Sequence, residues 1–529
     1  MSRPLVAYAS CVLLLSCAAP AIAQPQPTIP VRQETSAKNA ESVAISSIPV
    51  RAVLETAIVA RKEHRVKPLP KPKPLPPAEA AAVPRQRASV QRLQATFLPP
   101  IEGIGSDNYH IQSDPPDTNG AVGTTQYVEW VNTALAVFDK NTAAMIGHPI
   151  DGNSLFSGFG GDCEQFNDGD PIVQFDKQHK RWVLSQFAVS GGEAAAGHTY
   201  SYCVAVSQTE DATGKYNLYE FKYPDFPDYP KMGIFADSFV VTFNMFRGNS
   251  FLGSKVCALE SGKMLLGQAA GMQCADIANE GGLLPADVDG GTVVPAGTAV
   301  PILNFALDGR HLNLWRFNVN WATPGSTTFV GPTQVAVNPF NAACDACVVQ
   351  PTGGVKLQTL SDRLMYRLAY RQFPDHSAMT VSHTVSVTGT TGPTGIRWYE
   401  IRDIDKPTPT IFQQSTYAPD STFRWLGSGA MDKKGNLLFG YSVASRKVSP
   451  SVAFTGRSPT DAPGIMRSEV VVQKGSGVQV RPDRWGDYAS VSVDPIDDCT
   501  MYFATQFQAK TGEFNWHTSI VRLKFPDCQ

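Results

Sequence analysis

The sequence predicts an all-β fold, a β-propeller of about six four-stranded blades, with seven as the alternative. Three observations lead there. Strand-turn-strand units recur along the chain, no long stretch carries the 3.6-residue apolar period of an amphipathic helix, and 43 Gly with 40 Pro suit a turn-rich chain. The clearest unit is residues 484–507, RWGDYASVSVDPIDDCTMYFATQF. It reads as a short alternating strand (488–493), an Asp/Pro turn (494–498) and a second strand rich in aromatic and β-branched residues, which together signal a hairpin. Residues 170–187, 231–246 and 424–442 repeat the unit, and 120–132 and 357–373 are looser copies. A chain of 529 residues exceeds one compact core unless it grows by repetition. The six hairpins are therefore read as the inner strand pairs of blades.

From the N-terminus, Arg3 supplies a charge, residues 6–15 are mostly apolar, and Ala21-Ile22-Ala23 forms a small-x-small site before Gln24. That is the pattern of an export signal peptide over residues 1–23. Its apolar run is too short to span a bilayer, and no membrane span is expected downstream. Leu14-Leu15-Ser16-Cys17 offers a second reading, a lipoprotein acylated at Cys17. Residues 24–96 read as a disordered, Pro-rich, cationic linker, centred on VKPLPKPKPLPPAEAAAVPRQR at 66–87. Residues 1–100 carry 13 Lys and Arg against 5 Glu, and the remainder 32 against 42 acids. A basic arm before an acidic globule argues against nucleic acid as the globule's partner.

The propeller is expected over residues 97–529. Its hairpins start about 50–70 residues apart, except for a gap of 126 between 231 and 357. That gap is read as an insertion around 247–300, with a Gly/Pro-rich loop at 281–301. The runs at 301–308 and 311–321 are read as outer strands of the third blade, and a seventh blade hidden there is the alternative. Removal of the signal leaves Cys163, Cys203, Cys257, Cys274, Cys344, Cys347, Cys499 and Cys528. An even count in an exported chain favours disulfides, and sequence order suggests 163–203, 257–274, 344–347 and 499–528. Cys344-Asp-Ala-Cys347 has a redox or zinc reading as well, weak without a second ligand pair.

In a propeller the entrances of the innermost strands meet at the axis. The residues there are Asp117, Asp170, Asp228, Asp487 and Tyr488, the candidate catalytic set, with Arg363, Arg424, Trp425, Arg484 and Trp485 as candidate substrate-binding residues. Paired carboxylates would serve acid–base cleavage of a glycoside, arginines would hold an anionic sugar, and clustered Asp and Asn oxygens would take Ca²⁺. The competing structural reading has the acids capping turns and the tryptophans packing between blades. Period two puts Arg363, Arg367 and Arg371 on one strand face, costly to bury unpaired, so they pair between blades or bind an anion. Asp375-His376 would supply a proton-transfer pair, or else is a solvated turn. Sequence signatures of nucleotide, haem and serine-hydrolase sites are missing from the chain.

The turns Asp432-Lys-Lys-Gly435-Asn436 and Asp117-Thr-Asn-Gly120, and more distantly Asp176 with Arg181-Trp182, resemble the Asp-boxes of sialidase-like propellers. The phrases DRLMYRLAYR (362–371), GIRWYEIR (395–402) and RWGDYASVSVDP (484–495) resemble uncharacterised exported bacterial proteins, which implies export and a propeller. The sialidase-like resemblance implies an anionic sugar held by arginine beside Tyr488. Two functions are then expected. One is a glycoside hydrolase or polysaccharide lyase acting at the channel mouth. The other is a non-catalytic glycan- or protein-binding module at the cell surface or outside the cell. Either would be a monomer, secreted, periplasmic or on the outer surface of a bacterium.

Overall fold

The computed structural model describes residues 27–49, 62–63, 67–86, 91–109, 111, 113–190, 198–388 and 392–529. The predicted signal peptide, with Cys17, lies outside them. Seven antiparallel four-stranded units follow one another. Their innermost strands are Asn119–Val122, Gly169–Asp176, Phe226–Phe235, Leu284–Asp289, Met365–Gln372, Phe423–Met431 and Ser490–Val493. Each packs against the next, and Ser490–Val493 returns to Asn119–Val122, so the ring is closed. Between blades four and five the innermost strands pair in parallel, from Ala286↔Leu368 to Asp289↔Arg371. Those two blades are one continuous sheet.

The blade count is seven, and the additional blade is the fourth. Blade three is completed by Ser250–Glu260 and Gly271–Ile277, so 247–300 is not an insertion. The runs near 301–308 and 311–321 are the second and third strands of blade four, Val300–Phe305 and His311–Asn318. The signal was lost because the first two strands of this blade, Leu284–Asp289 and Val300–Phe305, are joined by the long loop 290–299 instead of a tight turn.

Closure uses both ends of the propeller's sequence. Thr96–Gly105 is the outermost strand of blade seven, antiparallel to Trp516–Lys524. The Cys499–Cys528 disulfide ties the last hairpin turn to the chain end, and Cys163–Cys203, Cys257–Cys274 and Cys344–Cys347 complete the pairing that sequence order suggests.

The described residues of the Pro-rich arm do not stand off from the ring. Thr28–Ile29, Val31–Thr35 and Lys38–Glu41 add a fifth strand to blades four, three and two in turn. Ile45 and Ile48 are buried against the first two blades. Further on, the Leu69 N–H donates to Asp362 (2.9 Å) and the Leu75 N–H to Asn341 (2.7 Å). The three added strands pair with open sheet edges through their backbone groups and are mostly exposed on both faces, so their periodicity carries no signal.

Candidate functional site

The innermost strands enter the ring through a recurring distortion. Asp117, Asp170, Tyr229, Gly282 and Leu426 take positive φ, between 45° and 64°. Strand register slips at the same place in blades two, three and six. Such bulges re-aim side chains, and here they turn those of several blades toward one point. Asp tolerates this conformation better than Tyr, so Tyr229 is held there by its surroundings.

What gathers at that point is a buried polar hub. The Asp117 carboxylate accepts from the Asp487 backbone N–H at 2.6 Å and from the Asn132 amide at 2.9 Å. Asn132 in turn accepts from the Asp170 N–H at 2.9 Å. Arg484 lies 2.7 Å from the Asp487 carboxylate and donates to Gln358 at 3.0 Å. The Tyr229 hydroxyl donates to the Asp487 carbonyl (3.2 Å) and the Tyr488 hydroxyl to that of Pro171 (3.1 Å). Lys231 is enclosed between these two rings, its ammonium 3.5 and 3.7 Å from their centroids. Arg363 is paired with Asp362 at 2.8 Å and lies over Tyr229 at 4.4 Å.

Burial sets the protonation of this cluster. It raises the Asp117 carboxyl well above its ordinary range, aided by the charges of Asp487 and Asp170. It pushes Asp228 up to about 8, with Asp170 adding to the effect. Asp170 itself rises only to about 6, because Lys231 opposes burial there. Lys231 is pushed down to about 7 by its loss of solvent, against the pull of the carboxylates.

The channel below is filled as well. Arg367 pairs with Asp287 at 2.7 Å and Asp289 at 2.5 Å, and donates to the Val491 carbonyl at 2.8 Å. Arg371 is paired with Asp498 at 2.7 Å. The three arginines of one strand face are thus all paired. A cavity of about 10 Å³ remains beside Gln174 and Tyr366, and one of about 100 Å³ opens at the exit end between Lys177, Ile234, Val288 and Pro495.

Asp117, Asp170, Asp228, Asp487, Tyr488, Arg363 and Arg484 therefore meet as expected from their place in the repeat, but only Asp228 is more than slightly exposed. Other candidates do not join them. Arg424 turns to Glu469 (2.6 Å) and Asp420 (3.0 Å), because the bulge at Leu426 comes after it in its strand. Trp425 and Trp485 are buried 5.8 Å apart, and Trp485 donates to Ser442. That is the packing role. His376 sits on the turn after Met365–Gln372, at the opposite end of the channel, beside an exposed Asp375. Lys231 was not foreseen as a site residue. Its signal was present, a lone lysine followed by the apolar run Met232–Phe235 in the buried strand Phe226–Phe235. Asp117 does not cap a hairpin turn, whereas Asp432 does, accepting from Lys434 and Asn436 N–H groups at 2.8 and 3.0 Å.

Among the described residues no group of three or more His, Cys, Asp or Glu is arranged to hold a metal ion. At the hub, Lys231, Arg363 and Arg484 are the positive charges set among the acids. Among the described residues no helix is long and apolar enough to cross a membrane.

No protein family and no curated protein is matched by the sequence. Solved structures overlap it at low scores. An α-L-arabinofuranosidase from Fusarium graminearum aligns at 8% identity over 80% of this chain and 98% of its own, TM-score 0.39. A polysaccharide lyase acting on ulvan aligns at 11%, over 79% and 93%, TM-score 0.36. The WD40 domain of SCAP from fission yeast aligns at 6%, over 82% and 98%, TM-score 0.31. Overlaps at this level carry no argument about chemistry, and the ring is established by its own strand pairing. No family match accompanies the Asp-box-like turns.

Proposed function

We propose that the protein is an exported, disulfide-braced propeller that recognises a glycan or a protein partner without turning it over. The observation that supports this is the use made of the candidate acids. Asp117 of blade one and Asp487 of blade seven are 0% and 7% exposed. The Asp117 carboxylate accepts the Asp487 backbone N–H across the ring closure at 2.6 Å, and the Asp487 carboxylate lies 2.7 Å from Arg484. Acids spent on holding blades together are not presented to a substrate. Four disulfides fit an oxidising compartment, and with it an extracellular role.

A second reading is favoured by one residue. Asp228 is half-buried, keeps its proton to about pH 8, and neighbours Asp170, which ionises near 6. Two carboxyls so separated would serve as acid and base in a glycoside hydrolase, with Arg363 and Arg484 steadying an anionic polymer. A polysaccharide panel decides between the readings. The purified protein is assayed for new reducing ends and for unsaturated products, in parallel with retention on the immobilised polymers. Retention without product is expected, and Asp228→Asn should bind as the parent does. Product formation that falls at least a hundredfold in Asp228→Asn, at unchanged melting temperature, would replace this reading with the enzyme.

A further inference from the structure

The seam between blades four and five holds a charge the chain does not balance. Arg397 is 0% exposed, and among the described residues no carboxylate is paired with it. Its Nη2 donates to the carbonyls of Asn338 (3.1 Å) and Pro339 (2.8 Å), Nε and Nη1 have no hydrogen-bond partner, and the guanidinium lies 5.9 Å from the centroid of the Tyr399 ring. Arg363, Arg367, Arg371, Arg424 and Arg484, also buried, each sit against a carboxylate. Arg457, 3% exposed, donates through Nε and Nη2 to the Ile465 and Asp461 carbonyls. Burying a guanidinium without a counter-charge is costly, and two unmet donors add to the cost.

The neighbours of Arg397 share its deficit. Strand pairing places His383 and Thr416 directly opposite it on the two flanking strands, so the three side chains line one face of blade five. Both are buried, at 0% and 2% exposure, and His383 Nδ1 and Thr416 Oγ1 are also unpartnered. The Tyr399 hydroxyl is 3.0 Å from His383 Nε2, and donating there leaves the histidine proton on Nδ1. Phe305 and Phe340 of the facing side close over the imidazole at 5.5 and 4.5 Å. Arg397 and His383 Nδ1 thus present donors only, the Thr416 hydroxyl donates or accepts, and a full positive charge stands within an aromatic wall. A metal cation would be repelled, and a water bonded to Thr416 would leave the guanidinium charge unbalanced.

From this geometry we infer that a small monovalent anion of the halide class is bound in the seam between blades four and five, held by Arg397, His383 and Thr416. An ion that is cheaply dehydrated suits so enclosed a place. Chloride and bromide fulfil this, and sulfate or phosphate, larger and strongly hydrated, do not.

Two measurements on the full-length mature protein test it. Crystals soaked in sodium bromide should show an anomalous peak within hydrogen-bond reach of Arg397 Nη1. Thermal unfolding in sodium chloride should exceed that in sodium gluconate at equal ionic strength, by about 1–2 °C for each tenfold rise in halide above its dissociation constant. Arg397→Gln should unfold at the same temperature in both salts. Bromide found only on the surface, with matching melting temperatures in the two salts for the parent, would overturn the proposal. So would an Arg397→Gln protein that keeps the halide dependence, and the parent measurements stand even if that variant does not fold.

Discussion

Glu129 shows how much one buried carboxyl can weigh. It is 0% exposed, accepts the Ile104 N–H at 2.8 Å, and burial pushes its pKa up to about 7. A raised carboxyl pKa means that the folded state binds a proton more tightly than the unfolded chain. Its stabilising effect is full below the unfolded value near 4.5 and is lost as pH rises through 7. Glu129→Gln should therefore match the parent at pH 5 and exceed it at pH 8, by about 3 kcal/mol at most, in urea unfolding at the two pH values. An equal loss at both would assign Glu129 a packing role only. Residue order alone hides this, because both faces of Gln126–Val131 are buried and a lone Glu in a strand reads as its solvent side. The two Arg-Trp pairs, 424–425 and 484–485, teach the same lesson. Identical in sequence, they part company because a bulge follows one and a loop the other, and bulges leave no mark in residue type.

Among the elements, the strand Thr96–Gly105 carries the greatest consequence, since it closes the ring. Gly103 lies where this strand passes blade one, and a Cβ there would collide with the Thr518 hydroxyl and the Glu129 carboxylate. Neither neighbour can yield freely, because Thr518 donates to the Ile104 carbonyl at 3.0 Å and Glu129 holds the Ile104 N–H. Gly103→Ala is expected to cost about 1–3 kcal/mol, the usual penalty of overpacking a tight site. A substitution such as Gly291→Ala, at an exposed loop glycine with open space around its Cα, should leave unfolding unchanged. Equal melting temperatures for the two variants would show that the latch has room for a methyl group at Gly103. Hairpins with tight polar turns were legible, and so were disulfides between sequence neighbours. The latch strand and the three strap strands were not, since their partners lie far along the chain, and blade four was legible only as the seventh-blade alternative, because a long loop replaces its first tight turn.

For the molecule as a whole, the axis is a column of matched charges with a surplus of acid at one end. Asp117, Asp170 and Asp228 all have raised pKa values, the latter two about 6 and about 8. Each stabilises the ring while protonated and ceases to do so as pH climbs past its folded value. Lys231, lowered to about 7, acts in the opposite sense, but its gain is spread from 7 up to the ordinary lysine range above 10. Between pH 5 and 8 the carboxyls therefore set the slope, and stability should fall across that interval. Below pH 4 the trend reverses, as carboxylates such as Asp497, depressed to about 2, take up protons. Asp228→Asn copies the protonated acid in shape and hydrogen bonding. It should fold, melt near the parent's temperature at pH 5.5, and lose less of it than the parent by pH 8. Calorimetry of both proteins across that range measures the difference, and a parent whose melting temperature holds level or rises from 5.5 to 8 would mean that the hub carries no protons at neutrality.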